Sequence, residues 1–347
     1  MSDLLKRFAD YIQTLPNSNV RVSLADASNE EGRAMLADAV AKQGGHDLEG
    51  RGIGPVKVGA PEYGRFAFFM DGMQRPRGPV YIADQPVPIM YGYVAAVIRQ
   101  RGIDRRMRTL PGYFDQNESL YVSQRLMERL GIGFEGLDCV WADVDAQALS
   151  EHPLALIEAA RDKISTVRGS LESDLVAKWM ASGLSANGWL LVDGSLDSET
   201  GRCESGSVLG VTKSHSTQYF PWDEQRVILD LNVGERSGAF IPIIGGRRRP
   251  VYSWYLRMRP HDGQDVYFGL VRVEAPKCER TLQMADKLSR WLMAETNPIS
   301  LPDSRWDKMI YPIRDCELYL KSTAPSHLSL DAMLMRLAGS PRRRASV

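Results

Sequence analysis

The stretch GWLLVDGSLDSET, Gly188 to Thr200, holds four apolar or aromatic residues, Trp189 to Val192, that lead straight into Asp193, a glycine and a serine. Such a run reads as a buried strand that delivers one carboxylate to its end. A second stretch, GRFAFFMDGMQRPRG from Gly64 to Gly78, has the same grammar, with Asp71 and Gly72 after its apolar run. Two strands that each end in Asp-Gly would bring two acids to one place. Asp-Gly after an apolar run is also an ordinary turn signal with no chemistry attached.

Outward from the first stretch, HPLALIEAARDKISTVRGSLESDLVAKWMASG predicts a helix over roughly 152 to 182, with Gly169 as a point of interruption and Gly183 as a stop. Leu4, Leu5, Phe8, Ile12 and Leu15 recur at helical spacing and predict an amphipathic N-terminal helix. A further helix is expected over NEEGRAMLADAVAKQ, capped by Asn29. Residues 43 to 63 read as a Gly/Pro-rich loop, RFAFFMDG as strand then turn, and VYIADQPVPIMYGYVAAVIRQRG as more strand with a bend or edge at Pro86 and Pro88. Residues 117 to 130 read as helix ended by Gly131. After residue 206 come short strands, several in hairpins, then helical TLQMADKLSRWLMAET and a segment MIYPIRDCELYLKS that enters a helix. The fold class expected is α/β, a mixed sheet flanked by helices with helical and hairpin insertions. Three regions are expected: an N-terminal helical part over 1–60, a main domain over 61–337 and a disordered basic tail over 338–347.

The bulk composition sets limits. The 347 residues are 44% hydrophobic and 25% charged, as in an ordinary soluble protein, so a cytoplasmic location is expected. No apolar run approaches the roughly 18 residues of a membrane span, and the N-terminus lacks a signal-peptide core. Four scattered cysteines form no CxxC pair, and the five histidines show no metal-site spacing. His215, close to Lys213, reads as a strand histidine within reach of substrate. Net charge is zero, which disfavours bulk coating of nucleic acid but leaves room for a local basic groove. GGRRRPVYSWYLRMRP alternates arginines with Tyr252, Trp254 and Tyr255. Such alternation suits a single-stranded DNA path, and equally a hairpin with its aromatics in the core.

Cleaving a phosphodiester needs an activated nucleophile and help for the leaving oxygen, which paired divalent cations supply. Such ions take oxygen ligands, chiefly Asp and Glu. Asp71 and Asp193 are candidates, and Glu172, 21 residues before Asp193 on the preceding helix, is a third.

These motifs resemble the NurA family, nucleases that work with HerA-type hexameric ATPases. AFFMDGM resembles its early strand, TVRGSLESDL its helix with Arg168 and Glu172, LLVDGSL its second acid-tipped strand, and LGVTKSHS its GVxKS-like segment. MIYPIRDCELYLKS supplies the Tyr-Pro, Tyr311 and Pro312, of a late helix. The ordered set spans 64 to about 322. The resemblance implies a ribonuclease H-type core related to PIWI, with Asp71, Glu172 and Asp193 as ligands of Mn2+ or Mg2+. Lys213 would lie near the scissile phosphate as a compact counter-charge, and Tyr311 would belong to the catalytic set. At two positions the chain departs from the pattern: MDGM stands where the family more often shows VDGS, and eight residues after Tyr311, where the family has histidine, stands Tyr319. Asp315 or Glu317 on the same helix would then complete the metal site, with Asp315 the first choice. The resemblance further implies DNA as substrate, a homodimer, and a HerA-like ATPase as partner in DNA-end processing or anti-phage defence. The apolar face of the N-terminal helix offers itself as the docking element for that ATPase. Two other readings remain: a nuclease-fold subunit that binds DNA or the ATPase without cutting, and an Argonaute-like guide-binding module. The second lacks a lysine-and-aromatic pocket for a guide phosphate.

Overall fold

The structure, a computed structural model, describes residues 2–14, 20–22, 41–42, 44–50, 52–82, 86–134, 136–143, 151–202, 206–214, 217–297 and 306–339. Helix α1 spans Asp3–Thr14, and three long strands follow: β1 (Phe66–Ile82), β2 (Pro88–Arg101) and β3 (Met107–Val122). These form an antiparallel meander. Helix α2 (Pro153–Ala181) then crosses to β4 (Trp189–Asp193), which lies parallel to β1, and β5 (Val208–Thr212) lies parallel to β4. The late hairpin of β6 (Val251–Arg257) and β7 (Leu270–Pro276) extends the sheet, with β7 antiparallel to β5. Helices α3 (Ala285–Ala294), α4 (Tyr311–Thr323) and α5 (His327–Gly339) complete the labelled elements. The sheet order β3-β2-β1-β4-β5-β7-β6 is that of a mixed α/β fold with helices on its faces. No helix among the described residues is long and apolar enough to cross a membrane.

Two apolar layers sandwich the central strands. Phe68, Met70, Leu190 and Val192 pack under Leu175, Val176 and Trp179 of α2. Trp179 is fully buried and meets Phe68 edge-on at 5.4 Å, a contact worth about 1 kcal/mol beyond the area it hides. The alternate residues Phe69, Leu191, Leu209 and Val211 face the other way, against Ile313, Cys316 and Leu320 of α4 and residues of α1, α3 and α5. Helix α2 runs unbroken through Gly169. Its start is fixed by Pro153 at the first turn and by the His152 ring, which accepts from Leu154 N–H. Its end is followed by Gly183 at φ 74°.

The structure corrects several further sequence readings. RFAFFMDG is not a strand that turns at Asp71-Gly72: β1 continues to Ile82 and stays paired with β2 through Tyr81, apart from a bulge between Arg77 and Val80. Residues 117–122 are the end of β3, and the helix begins only at Gln124, where the Ser123 hydroxyl caps Leu126 N–H. The face of α1 is not a free docking surface, because Leu4, Leu5, Phe8 and Ile12 are all buried in the main core. The described parts of the first sixty residues are also joined to the sheet, Val20–Val22 beside β1 and Gly44–Asp47 beside Phe240–Ile244. The expected helix from Asn29 lies outside the described residues, except that Ala41–Lys42 is a short strand. Leu15, Cys203, His215 and the tail from Ser340 also lie outside them.

Tyr252, Trp254 and Tyr255 belong to a strand buried on both faces, and Trp254 is fully enclosed. Arg257 on the same strand is buried too, its guanidinium donating to the carbonyls of Leu229, Leu231, Val266 and Phe268. The aromatics and Arg257 of this stretch therefore pack inward and offer no rings for bases to stack on, while Arg247 and Arg248 are exposed.

Candidate active site

The site forms where β4 stops and β1 goes on. Backbone pairing between β1 and β4 runs to Met70 opposite Val192. The next pair in register is Asp71 and Asp193, so these two carboxylates stand side by side on the α4 face. Asp193 ends its strand because Gly194 follows at φ 120°, a conformation that side chains disfavour. The turn beyond is held at Leu196 from both sides. Leu196 N–H donates to Oε2 of Glu274 at 2.9 Å, and Arg249 donates to the Leu196 carbonyl. Glu274 is fully buried and also takes Arg249 Nη1 at 2.7 Å and Arg272. The opening lies at the carboxyl ends of parallel strands, the region where sheets of this kind bind ligands.

Asp71 is 8% exposed. Burial raises its pKa well above the usual carboxylate range; Asp193 and Glu317 push it further, and Lys213 and the Gly72 N–H offset this in part. Lys213 leaves the end of β5 and places Nζ 2.8 Å from Oδ1 of Asp193. Glu172 approaches from the α2 face. A Cβ on Gly72 would fall 1.9 Å from its Oε1, so the missing side chain at position 72 is what admits this carboxylate. Burial raises the Glu172 pKa, Asp193 adds to the rise, and Arg168, at 3.6 Å, opposes it. Asp193 thus lies within electrostatic reach of Asp71 on one side of the sheet and Glu172 on the other. Among the described residues, no three His, Cys, Asp or Glu side chains converge at distances that would already hold one ion.

Of the two acids on α4, Glu317 rather than Asp315 faces this centre. Asp315 is taken by Arg99, Nε to Oδ1 2.6 Å. Tyr319, one turn further along, lies under the same guanidinium at 4.7 Å and edge-on to Phe114. The position at which histidine was expected therefore belongs to an Arg99 cluster. Tyr311 is exposed on the first turn of α4 and its backbone N–H donates to the Glu295 carbonyl; no hydrogen bond joins it to the acids among the described residues. Sequence reasoning missed Glu274 and Gly72. Both were visible only as an acid in an apolar strand and as half of an Asp-Gly pair.

A cavity lies on each face of the sheet beside these acids. On the α2 side is a cavity of about 580 Å³ lined by Glu172, Asp174 and Glu199 with hydroxyls of Thr166, Ser170 and Ser173. On the α4 side, Lys213, Lys308, Arg314 and Glu317 frame a narrow cleft over Ile310 and Ile313. No family model matches the chain, and no curated protein matches it either.

Proposed function

We propose that the chain is a metal-dependent DNA nuclease whose centre is the Asp71–Asp193 pair. The carrying observation is that pair itself: two carboxylates in register on adjacent parallel strands, one of them held above its ordinary pKa first by burial and then by the charge of the other. Like charges brought together and desolvated carry an electrostatic cost that a divalent cation relieves, and an all-oxygen donor set suits Mn2+ or Mg2+. Asp71 and Asp193 would hold the ion, with Glu172 and Glu317 beside them. When bound, such an ion lowers the pKa of a coordinated water and neutralises phosphoryl charge. Lys213 orients Asp193 and brings a cation to the scissile phosphate. The meander followed by two parallel strands accords with the ribonuclease H-type core that the NurA resemblance implies. A homodimer working with a HerA-like hexameric ATPase, in end processing or phage defence, completes the proposal on that resemblance.

Purified protein with Mn2+ should degrade linear DNA, alone or with the ATPase added, and Asp193→Ala should abolish this in a protein that remains folded. Cleavage that persists in the variant would remove the assignment. A second reading, a DNA- or ATPase-binding scaffold of the same fold, is favoured by Arg99 holding Asp315 and by Tyr319 in the Arg99 cluster. It expects DNA binding without metal-dependent cleavage.

A further inference from the structure

The tip of the hairpin between β2 and β3, residues 102–108, reads GIDRRMR, three arginines against one acid, Asp104. That acid is already engaged. Arg108 donates to it twice, Nη1 to Oδ1 at 2.9 Å and Nη2 to Oδ2 at 2.5 Å, and these bonds hold the Asp104 pKa down to about 2. Arg106 Nε stands 3.9 Å from the same carboxylate.

Arg105 is the informative residue. Its backbone sits at φ 62°, in the left-handed region, and among the described residues it is the only non-glycine there. The turn requires that conformation. Arg105 N–H donates to the Gly102 carbonyl and Gly102 N–H to the Arg106 carbonyl, which closes a hairpin loop whose left-handed position is ordinarily glycine. An arginine there carries a backbone cost that glycine avoids. Its guanidinium forms neither an ion pair nor a hydrogen bond among the described residues, and it lies 5.4 Å over the ring of Tyr63. Tyr63 is 63% exposed, and Ile103 at the tip is fully exposed. A cation–π contact in solvent is weak, so the guanidinium is held near the ring while its charge stays unmatched.

We infer that Tyr63 and Arg105 form a contact for single-stranded DNA, in which an unpaired base stacks on the exposed ring and the guanidinium takes the adjacent phosphate. A cation beside an open aromatic face holds a strand without reading its sequence. Strand register separates this contact from the acids. Asp71 pairs with Val97, and Ile103 lies six residues further along the hairpin. At about 3.3 Å per residue the tip stands roughly 20 Å from Asp71. The hairpin thus anchors a strand at a point apart from the Asp71–Asp193 pair. An anionic lipid surface would also meet these arginines, but one exposed isoleucine buries too little to hold a membrane. The inference rests on the reading of the chain as DNA-binding, which the cutting and the non-cutting proposals share, and it is tested without cleavage.

The probe is a short labelled oligothymidylate, bound in EDTA and followed by fluorescence anisotropy across a salt series. Tyr63→Leu is expected to weaken binding about ten-fold with the salt slope unchanged, because stacking releases no counterion. Tyr63→Trp should keep the affinity. Asparagine tolerates the left-handed turn, so Arg105→Asn should melt no lower than the wild type. It should weaken binding about five-fold and reduce the salt slope by about 0.7, the share of one phosphate on a single strand. Arg105→Lys should keep most of the slope. Arg248→Gln, on a different exposed hairpin, should change neither. A Tyr63→Leu or Arg105→Asn protein that melts normally and binds with wild-type affinity and slope overturns the inference. So does a wild-type protein that binds no oligonucleotide, or an Arg248 variant with the same deficit as Arg105→Asn. Wild-type binding to phosphatidylserine vesicles that Arg105→Asn abolishes, with oligonucleotide binding intact, would assign the tip to a membrane instead. Loss or persistence of cleavage in Asp193→Ala bears on the nuclease reading and leaves these measurements untouched.

Discussion

Lys213 and Asp193 close an ion pair across the ends of two neighbouring parallel strands, Nζ to Oδ1 2.8 Å. An internal ammonium therefore occupies the side of Asp193 at which an external cation would arrive. A metal ion bound by Asp193 would compete with Lys213 for one oxygen. Lys213→Gln is expected to tighten Mn2+ binding several-fold in calorimetry while lowering the rate of DNA cleavage, because the same change removes a phosphate counter-charge. Unchanged metal affinity would mean that the ion does not use Asp193.

The raised pKa of Asp71 makes stability depend on pH with a definite sign. The folded chain keeps this proton over a range in which the unfolded chain has already released it. Stability then falls as pH rises from the ordinary carboxylate range through the folded pKa. Glu172 contributes in the same direction. At neutral pH, Asp71→Asn should melt a few degrees higher than the wild type, and the advantage should vanish in acid. Added Mn2+ should stabilise the wild type and not the variant. A variant that melts lower at neutral pH would contradict the assigned burial and repulsion.

Gly72 tests the role of Glu172 from a distance. A methyl group there meets Oε1 at 1.9 Å and Cδ at 2.7 Å. The far end of a flexible side chain can swing aside, so Gly72→Ala should cost only about 1 kcal/mol in a denaturant titration. Cleavage should fall far more than that, and to the level of Glu172→Gln. Full activity in Gly72→Ala would remove Glu172 from the site.

Glu274 holds the turn after Asp193 while remaining outside the proposed metal site. Its carboxylate is fully buried and engages Arg249, Arg272 and the Leu196 N–H. Glu274→Ala leaves two arginines without their partner and should destabilise the fold by about 3–5 kcal/mol. Urea unfolding checks this, and a loss below about 1 kcal/mol would show that the turn is held by other means.

Much of this was legible in the chain because local signals and tertiary structure agree. The 3.6-residue pattern of α2, the apolar run of β4 and the acid at its end are features of this kind. Where the reading failed, a distant partner decided. Asp71-Gly72 carries a turn signal, yet β2 pairs with β1 through both residues, and the glycine serves Glu172 from another helix. NESLYV runs into helix-forming residues, yet its alternation places Leu120 and Val122 in the core as strand. On α4 the spacing puts Asp315 with Tyr319 and Ile313 with Glu317 on separate faces, and composition does not say which face meets Asp71. Arg99, on β2, settles it by taking Asp315 and Tyr319 together.

The most direct test is anomalous scattering from crystals of the protein soaked in Mn2+. A manganese peak is expected in contact with carboxylate oxygens of both Asp71 and Asp193, with Lys213 Nζ moved off Asp193. Crystals that show manganese elsewhere, or none between these residues while the Lys213–Asp193 pair stays closed, would contradict it.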